Sequence, residues 1–409
     1  MIKAIFFFIK IQFFIQKNEV IFSSSIVFNR GKKNSNKLLN PFKKFLKEHN
    51  IQYIAFEEPD LSGSYKNFKV NNESISLMPV MLLEIILRRS LRIFSNNDTD
   101  KIEQIVRSIS HKIFFRNLQA NSVITLIDHR ADLWRLAMPS AKIYDYQHGI
   151  TYPGHPRYLT NGEPPNFKKA CNIITLTHSR FISDLLISND KSGFYNHTNT
   201  LCVGYNYNFE FNSKKHHSHL KILFSLQDAS EGDQKNLNFY NNKVLKFLKE
   251  NISFFKKNNI TISLKRHPRA DLRTSQNYEN ISPNIAMTSE NDLHKLSHNH
   301  NLHITFNSTM AIDMASAGIP TIFLNLENPK NHLFPFLSPK EIFFSYLRYP
   351  LQDMRAVDAK SFQALITQYR EELLSSDSVL SNKLLDWHNL IMEPFNSKCL
   401  KELFNLHSK

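Results

Sequence analysis

The sequence predicts an α/β protein of two domains, each built around a parallel β-sheet. Short runs of β-branched and aromatic residues alternate with longer stretches of helical periodicity, and this alternation occurs twice along the chain. Strands that alternate with helices form βαβ units, in which the strands run parallel. The length of 409 residues also suits two to three domains of about 150 residues each.

The first half of the chain contains the first alternation. The helix predicted from Thr99 follows Asp98, a residue suited to cap a helix N-terminus. Its apolar residues, among them Ile102 and Val106, recur on one face. The predicted strands are Val20–Ser23, Gln52–Phe56, Val123–Ile127, Ile143–Tyr146, Ile173–Thr177 and Leu201–Val203, and the predicted helices are Lys37–Glu48, Leu77–Ile93, Thr99–Phe115 and Ser179–Ile187.

A polar segment without an apolar period, residues 209–219, separates the two alternations. We therefore expect a first domain over residues 1–212, a second over 213–381, and a helical tail over 382–409 that packs back on the first. The strands predicted in the second domain are Leu220–Leu226, Thr261–Leu264, Asn284–Met287, Leu302–Phe306 and Thr321–Leu324, and the helices are Asp233–Phe255, Asp292–His298, Ser308–Ala317 and Ala359–Leu374.

The N-terminal apolar run, Ala4–Ile15, has two interpretations. It contains 12 residues and is interrupted by Lys10, so it is too short to span a bilayer. It is either the first strand of the core or a segment that rests on a membrane surface.

The composition narrows the class of partner. The chain has 51 Lys and Arg against 36 Asp and Glu, a net charge of +15, which favours an anionic partner. No three of its nine glycines fall within one short loop, which excludes the glycine-rich dinucleotide motif and the P-loop. Cys171, Cys202 and Cys399 are widely spaced, as expected of free thiols in a reducing cytoplasm.

Two polar clusters follow predicted strands of the second domain, where ligands of open α/β sheets bind. Ser308 and Thr309 lie at the start of a predicted helix, a position that suits an anion, and Asp313 lies one turn further, able to accept hydrogen bonds from a ribose. The alternative is a plain helix cap with a solvated aspartate.

The second cluster is Lys265, Arg266 and His267, where Pro268 stops the strand from continuing. These cations suit a diphosphate or phosphodiester, although a solvated basic turn gives the same pattern. Gln227 follows the first strand of this domain and is a further candidate contact for donor phosphates.

The candidate catalytic base is His148, which follows a strand of the first domain. Gly149 next to it permits an unusual backbone turn, and an imidazole suits general-base chemistry near neutral pH. A structural histidine is the competing interpretation, and Glu58, after another strand, is the second candidate base. Asp145, His148 and His155 match no zinc-ligand spacing, so no metal site is predicted.

At these residues the sequence resembles the GT-B superfamily of glycosyltransferases, in particular bacterial enzymes that build capsule, lipopolysaccharide or teichoic-acid polymers. Lys265–Pro268 is similar to the His-Pro motif of bacterial sialyltransferases and related CMP- or CDP-donor enzymes, and Ser308–Thr309 resembles their serine motif. Asp313 stands where many members carry an acidic ribose ligand. Gln147–Gly149 resembles the His-Gly element of glycerophosphotransferases and polysaccharide transferases.

The resemblance implies two Rossmann-like domains facing each other across a cleft, with the C-terminal helices crossing back. It implies an inverting transferase that moves a sugar from a nucleotide-activated donor to a polysaccharide or lipid-linked acceptor. We expect no metal and no cofactor, and a cytoplasmic location, peripheral to the anionic inner face of the plasma membrane. The alternatives are a CDP-glycerol-type glycerophosphotransferase, a sugar-nucleotide epimerase and, outside enzymes, a nucleic-acid-binding protein. The scattered lysines and the absence of a known binding motif argue against nucleic acid.

Overall fold

The computed structural model describes residues 2–29, 35–61, 69–94, 99–127, 130–205, 218–226, 234–266, 278, 281–290, 292–306, 308–325, 340–375 and 379–404. The chain divides into two compact units. Unit 1 comprises Met1–Thr151, Pro156–Asn206 and Pro394–Lys409, and unit 2 comprises Tyr152–His155 and Tyr207–Glu393. Each unit contains one parallel sheet flanked by helices, which confirms the predicted fold class.

The sheet of unit 1 has seven parallel strands. They are β1 Gln16–Ser25, β2 Tyr53–Glu58, β3 Ile75–Ser76, β4 Leu118–Leu126, β5 Lys142–Tyr146, β6 Ile173–Thr177 and β7 Thr200–Cys202. Their spatial order is β3-β2-β1-β4-β5-β6-β7, so the direction of winding reverses between β1 and β4. The carboxyl ends of these two strands form the switch point, where ligands of such sheets bind.

Both faces of this sheet are buried, because successive residues of a strand point to opposite sides. Ile21 of β1 lies in a cluster on one face with Trp134 and Phe115. Its neighbour Phe22 lies in the cluster on the other face with Phe42. Burial of each such large apolar side chain stabilises the fold by roughly 1.5–3 kcal/mol.

Seven α-helices of unit 1 lie in the described chain before residue 207, where the longer segment of unit 2 begins. Ser179 starts the last of them by accepting a hydrogen bond from the Ile182 amide at 3.2 Å, a standard N-cap. The helices are α1 Ile2–Phe13, α2 Asn40–Glu48, α3 Met78–Phe94, α4 Thr99–Ser110, α5 Ala131–Ala137, α6 Asn166–Ala170 and α7 Arg180–Asn189.

The N-terminal run is a helix, so the interpretation of Ala4–Ile15 as a first core strand is wrong. Ala4, Phe8 and Ile11 are buried at helical spacing, and Phe8 contacts the ring of Phe56 in the core. Lys10 is exposed, which a doubly buried strand would not allow without a partner. A short, continuously apolar run does not distinguish the two structures by periodicity alone.

The long helix predicted over Thr99–Phe115 is divided. The α-helix ends at Ser110, and His111–Phe115 forms a π-helical segment that directs Phe115 into the core. A run of helical spacing does not show where the hydrogen-bonding pattern changes, so the sequence predicts one element where the structure has two.

The sheet of unit 2 has six parallel strands. They are β8 Lys221–Ser225, β9 Thr261–Lys265, β10 Ile285–Thr288, β11 Leu302–Thr305, β12 Thr321–Leu324 and β13 Arg355–Ala356. Their order is β10-β9-β8-β11-β12-β13, which places the switch point between β8 and β11. The described α-helices of this unit are α8 Gln234–Lys257, α9 Leu293–Asn299, α10 Met310–Ala315, α11 Ala359–Leu374 and α12 Val379–Ile391, and Lys340–Tyr346 is a π-helical segment.

Two helices end the described chain. The helix α12 belongs to unit 2, and the chain returns to unit 1 at Pro394. The last helix, α13 Ser397–Leu403, is capped by Asn396, whose side chain accepts from the Lys398 amide at 3.0 Å. Its residues Leu400 and Leu403 are buried in the core of unit 1. Across the described residues, no helix combines the length and apolarity needed to cross a membrane.

Candidate functional site

In unit 2, three polar residues lie in one row at the carboxyl edge of the sheet. Ser225 of β8 is in register with Lys265 of β9 on one side and with Thr305 of β11 on the other. The Thr305 hydroxyl donates to the Ser225 carbonyl at 3.3 Å, directly across the switch point. The topology therefore gathers an ammonium and two hydroxyls where a nucleotide binds in sheets of this order.

A buried histidine, His303, is hydrogen-bonded to the row. The His303 ring contacts the Thr321 hydroxyl through Nδ1 and the Ser225 hydroxyl through Nε2, both at 2.9 Å. The Ser225 hydroxyl donates to the Met310 sulfur at 2.9 Å, so it accepts from Nε2 and Thr321 donates to Nδ1. Burial lowers the pKa of His303 to about 3, which keeps the ring neutral.

The loop after β11 places Ser308 next to Thr305, the last member of the row. The Ser308 amide donates to the Thr305 hydroxyl at 3.1 Å, and the Ser308 hydroxyl accepts from the Met310 amide at 3.2 Å. The helix α10 begins at Met310 and ends at Ala315, shorter than the predicted Ser308–Ala317. The Ser308 amide is thus already engaged, and its hydroxyl proton is the group available to an anion.

Two further residues that the sequence predicts for the nucleotide-donor site follow Ser308 in the chain. Thr309 is exposed and makes no capping hydrogen bond with its side chain. Asp313 is half-buried on α10, one turn after the helix starts.

The basic cluster is described only in part. Lys265 is half-buried, its ammonium donates to the Glu290 carbonyl at 2.7 Å, and burial lowers its pKa. This contact orients the ammonium, which has three donors in all. Arg266 is half-buried at the strand end. His267 and Gln227 lie outside the described residues.

In unit 1, His148 lies two residues beyond β5, beside the switch point of its sheet. Its half-buried ring meets Phe28 edge to face, with ring centroids 5.8 Å apart. Phe28 ends the short 3-10 turn Ile26–Phe28, which directly follows β1. This contact places His148 near the carboxyl end of β1, one of the two strands that flank the switch point.

Gln147 fixes the loop that carries His148. Its side chain is buried and accepts from the His178 amide at 2.9 Å, and it donates to the Gly149 carbonyl at 2.6 Å. Its own carbonyl accepts from Nε2 of His178 at 2.7 Å. In the same loop Gly154 has a positive φ of 94°, whereas the φ of Gly149 is not positive.

His178, the hydrogen-bond partner of Gln147, is not among the site residues predicted from the sequence. It follows β6, is fully buried, and lies against the rings of Tyr146 and Tyr205. Burial lowers its pKa to about 3, and the nearby His148 contributes in the same direction. The sequence pattern could have indicated this residue, because His178 follows a predicted strand directly, and His148 likewise follows a predicted strand.

The second candidate base, Glu58, belongs to an ion-pair network. The Arg130 guanidinium contacts the Glu58 carboxylate at 3.1 Å and the buried Glu84 carboxylate at 2.9 Å. Arg88 and Arg107 also contact Glu84, and the network borders a cavity of about 290 Å³. Protonation of Glu58 would neutralise its carboxylate and weaken the charge-assisted contact with Arg130, which disfavours Glu58 as a base.

Asp145 is a structural residue rather than a metal ligand. Its carboxylate accepts from the Lys168 ammonium at 2.9 Å, and both side chains are 0% exposed. Thr125 donates to the same carboxylate at 3.4 Å. In the part of the chain that the structure describes, no group of three His, Cys, Asp or Glu residues could hold a metal ion.

The comparisons with known proteins concern the fold. The chain is similar to the calicheamicin glycosyltransferase CalG4, with 11% identity and a TM-score of 0.52 over 96% of this chain and 98% of that one. It is similar to MnaA of S. aureus, solved with UDP, with 10% identity and a TM-score of 0.55 over 96% and 98%. It is also similar to the wall teichoic acid polymerase TagF, soaked with CDPG, with 12% identity and a TM-score of 0.50 over 95% and 87%. No protein-family model matches the sequence, and neither does any curated protein.

The chain therefore has the GT-B fold, with two parallel-sheet α/β units, as the sequence predicts. At these identities the similarity shows the fold alone.

Two of the buried histidines, His178 and His303, predict an acid-sensitive fold. Their folded pKa values are about 3, whereas unfolded histidine titrates near 6.5, so only the unfolded state takes up protons as the pH falls. Lowering the pH from 7 to 5 should reduce the free energy of unfolding by about 2 kcal/mol for each histidine. Urea unfolding at both pH values measures this change.

Matched variants assign the effect to the buried rings. His303→Gln should lose its share of the pH dependence, while substitution of the exposed His197 by Gln should keep the wild-type dependence. An unchanged pH dependence in His303→Gln would contradict the neutral, buried ring.

Proposed function

We propose that the chain is a glycosyltransferase that moves a sugar from a nucleotide-activated donor to a polysaccharide or lipid-linked acceptor, with inversion and without a metal. The observation that carries the proposal is the placement of Lys265 and Ser308 at the switch point of unit 2, where hydrogen bonds of Ser225 and Thr305 join the strand ends. An ammonium and a hydroxyl donor at this position suit the phosphates of a nucleotide.

The donor site of the proposal has several members. Lys265 and Ser308 contact the phosphates together with Arg266, and Asp313 accepts from the ribose. The remaining members are His267, Thr309 and Gln227.

His148 is the proposed base in the transfer step. It takes the proton of the acceptor hydroxyl as that oxygen bonds to the anomeric carbon. The bond between this carbon and the donor phosphate breaks at the same time, and the negative charge of the leaving nucleotide is stabilised by the basic residues of unit 2. Because these cations already stand at the strand end, the proposal assigns no role to a metal.

The proposed acceptor also accounts for the net charge of +15. A lipid-linked acceptor is presented at a membrane surface, and an anionic surface attracts a basic protein. We therefore include peripheral binding at the inner face of the plasma membrane in the proposal.

Calorimetry with CMP, UDP, CDP and GDP tests the donor site. Ser308→Ala and Lys265→Met should each weaken binding of the preferred nucleotide about tenfold or more, since a hydrogen bond to a charged group contributes roughly 1.5–3 kcal/mol. Lys256→Met, which changes an exposed lysine of the same unit, is the matched control and should bind as the wild type.

Unchanged affinity in both site variants would contradict the assignment. A substrate panel then separates the reactions: release of nucleotide only when an acceptor is supplied supports transfer of a sugar. Turnover of CDP-glycerol indicates a glycerophosphotransferase, and conversion of the donor without any acceptor indicates an epimerase. Tight, salt-dependent binding to arbitrary DNA would instead favour a nucleic-acid-binding protein.

A further inference from the structure

The helix α1 is apolar on both faces, although only one face is covered. Its buried residues, Ala4, Phe8 and Ile11, pack into the core of unit 1. The other face presents large apolar side chains to solvent at spacings of four, three and four residues, which is one helical stripe. Phe6 is 68% exposed and Phe13 is 76% exposed. The stripe consists of Ile2, Phe6, Ile9 and Phe13.

A second apolar stripe lies on the neighbouring helix. The helix α3 packs against α1, and its exposed residues Leu82, Ile86 and Ile93 follow the same helical spacing. The π-helical segment His111–Phe115 also packs against α1 and exposes Ile113. Single exposed apolar residues are common on soluble proteins, whereas a group on three adjacent elements marks an interaction surface.

The charges on these three elements are all basic where they are exposed. α1 contributes Lys3 and Lys10, and α3 contributes Arg89 and Arg92. The three elements contain a single carboxylate, Glu84, which is buried in its network of arginines. Apolar side chains and cations without exposed carboxylates are the combination that anionic lipid headgroups bind.

We propose that α1 and the exposed face of α3 form a docking surface for an anionic lipid bilayer. α1 lies in the plane of the interface, with the stripe from Ile2 to Phe13 inserted among the headgroups. Its 12 residues make a helix about 18 Å long, which is shorter than the roughly 30 Å of a hydrocarbon core.

A second copy of the chain fits this surface less well. A symmetric dimer through this face would bring the lysines and arginines of one copy against those of the other, and like charges across an interface are unfavourable. The proposal rests on the proposed function for the membrane as a partner, whereas the binding itself requires no donor, acceptor or catalytic residue.

Vesicle flotation without any substrate tests the surface. The wild type should float with vesicles of equal parts phosphatidylglycerol and phosphatidylcholine, and should remain unbound with phosphatidylcholine alone. Phe6→Ser combined with Phe13→Ser should weaken binding at least tenfold, because two large side chains no longer enter the interface. Val357→Ser combined with Val379→Ser removes two exposed apolar residues of unit 2 and should leave binding unchanged.

The charge is tested separately. Lys10→Glu combined with Arg89→Glu should weaken binding to the anionic vesicles about tenfold or more, since each basic residue near the surface contributes roughly fivefold. Lys256→Glu combined with Lys257→Glu, on exposed positions of unit 2, is the matched control.

The variants should fold normally, because the substituted side chains are exposed, and thermal unfolding checks this. Ile86→Ser combined with Ile93→Ser on α3 gives an independent test if the α1 variant unfolds. Flotation of all these variants at the wild-type level would overturn the proposal, as would a dimer that the Phe6→Ser and Phe13→Ser changes dissociate. Nucleotide release with a soluble acceptor should be unaffected by the surface variants, so failure of the docking surface and failure of the proposed reaction are distinguishable.

Discussion

His148→Ala is expected to lower turnover by roughly 10²–10⁴-fold while nucleotide affinity stays at the wild-type value. The loss follows because the proposed base is no longer present to take the proton of the acceptor hydroxyl. The affinity is unchanged because the proposed nucleotide contacts, Lys265 and Ser308, belong to unit 2. Steady-state kinetics with saturating donor, paired with calorimetry for the nucleotide, separates the two quantities.

The control is an exposed histidine of the same unit. His197→Ala should retain wild-type turnover. If His148→Ala retains turnover and Glu58→Gln abolishes it, the base lies in the arginine-bound carboxylate network instead. If both retain turnover, the placement of the acceptor chemistry in this loop is wrong.

Lys168→Met is expected to destabilise unit 1 by about 3–5 kcal/mol. Lys168 and Asp145 are both 0% exposed and contact each other at 2.9 Å. Substitution of Lys168 removes the ammonium that pairs with a buried carboxylate, and the Tyr158 ring loses the cation that lies 4.9 Å from its centre. Denaturant unfolding followed by near-UV circular dichroism measures the change.

The neighbouring residue provides the control for this pair. Lys169 contacts Glu163 at 2.7 Å, but both side chains are substantially exposed, so Lys169→Met should cost about 1 kcal/mol or less. Lys168→Met combined with Asp145→Leu should recover most of the lost stability, because it removes both buried charges. A Lys168→Met protein as stable as Lys169→Met would contradict the role of the buried pair.

The sequence predicts the sheets well because their strands are buried on both faces. Continuous apolar runs such as Ile173–Thr177 and Thr321–Leu324 coincide with strands of the structure. The strands Ile75–Ser76 and Arg355–Ala356 have two residues each, too few for a pattern, and are defined by their neighbours in the sheet. Strand order is likewise a property of long-range pairing, which no local window contains.

The candidate site is predictable to the extent that it lies at strand ends. The positions of His148, Lys265 and Ser308 follow from recognising the strand before each of them. Their hydrogen-bond partners do not follow, because Gln147 meets His178 from a different strand. The engagement of Glu58 by Arg130 joins residues 72 positions apart, which is why the sequence leaves both candidate bases open.

The return of the chain to unit 1 at Pro394 has a consequence for its synthesis on the ribosome. Unit 2 is complete once Glu393 has been added, whereas unit 1, which begins first, still lacks α13. Until then the rings of Phe42 and Phe45 lack their contacts with Phe395 and Phe404, which lie on either side of α13. A nascent chain therefore exposes apolar surface on unit 1 while unit 2 is already able to fold. Such surface favours aggregation, so a chaperone would be most useful during this interval.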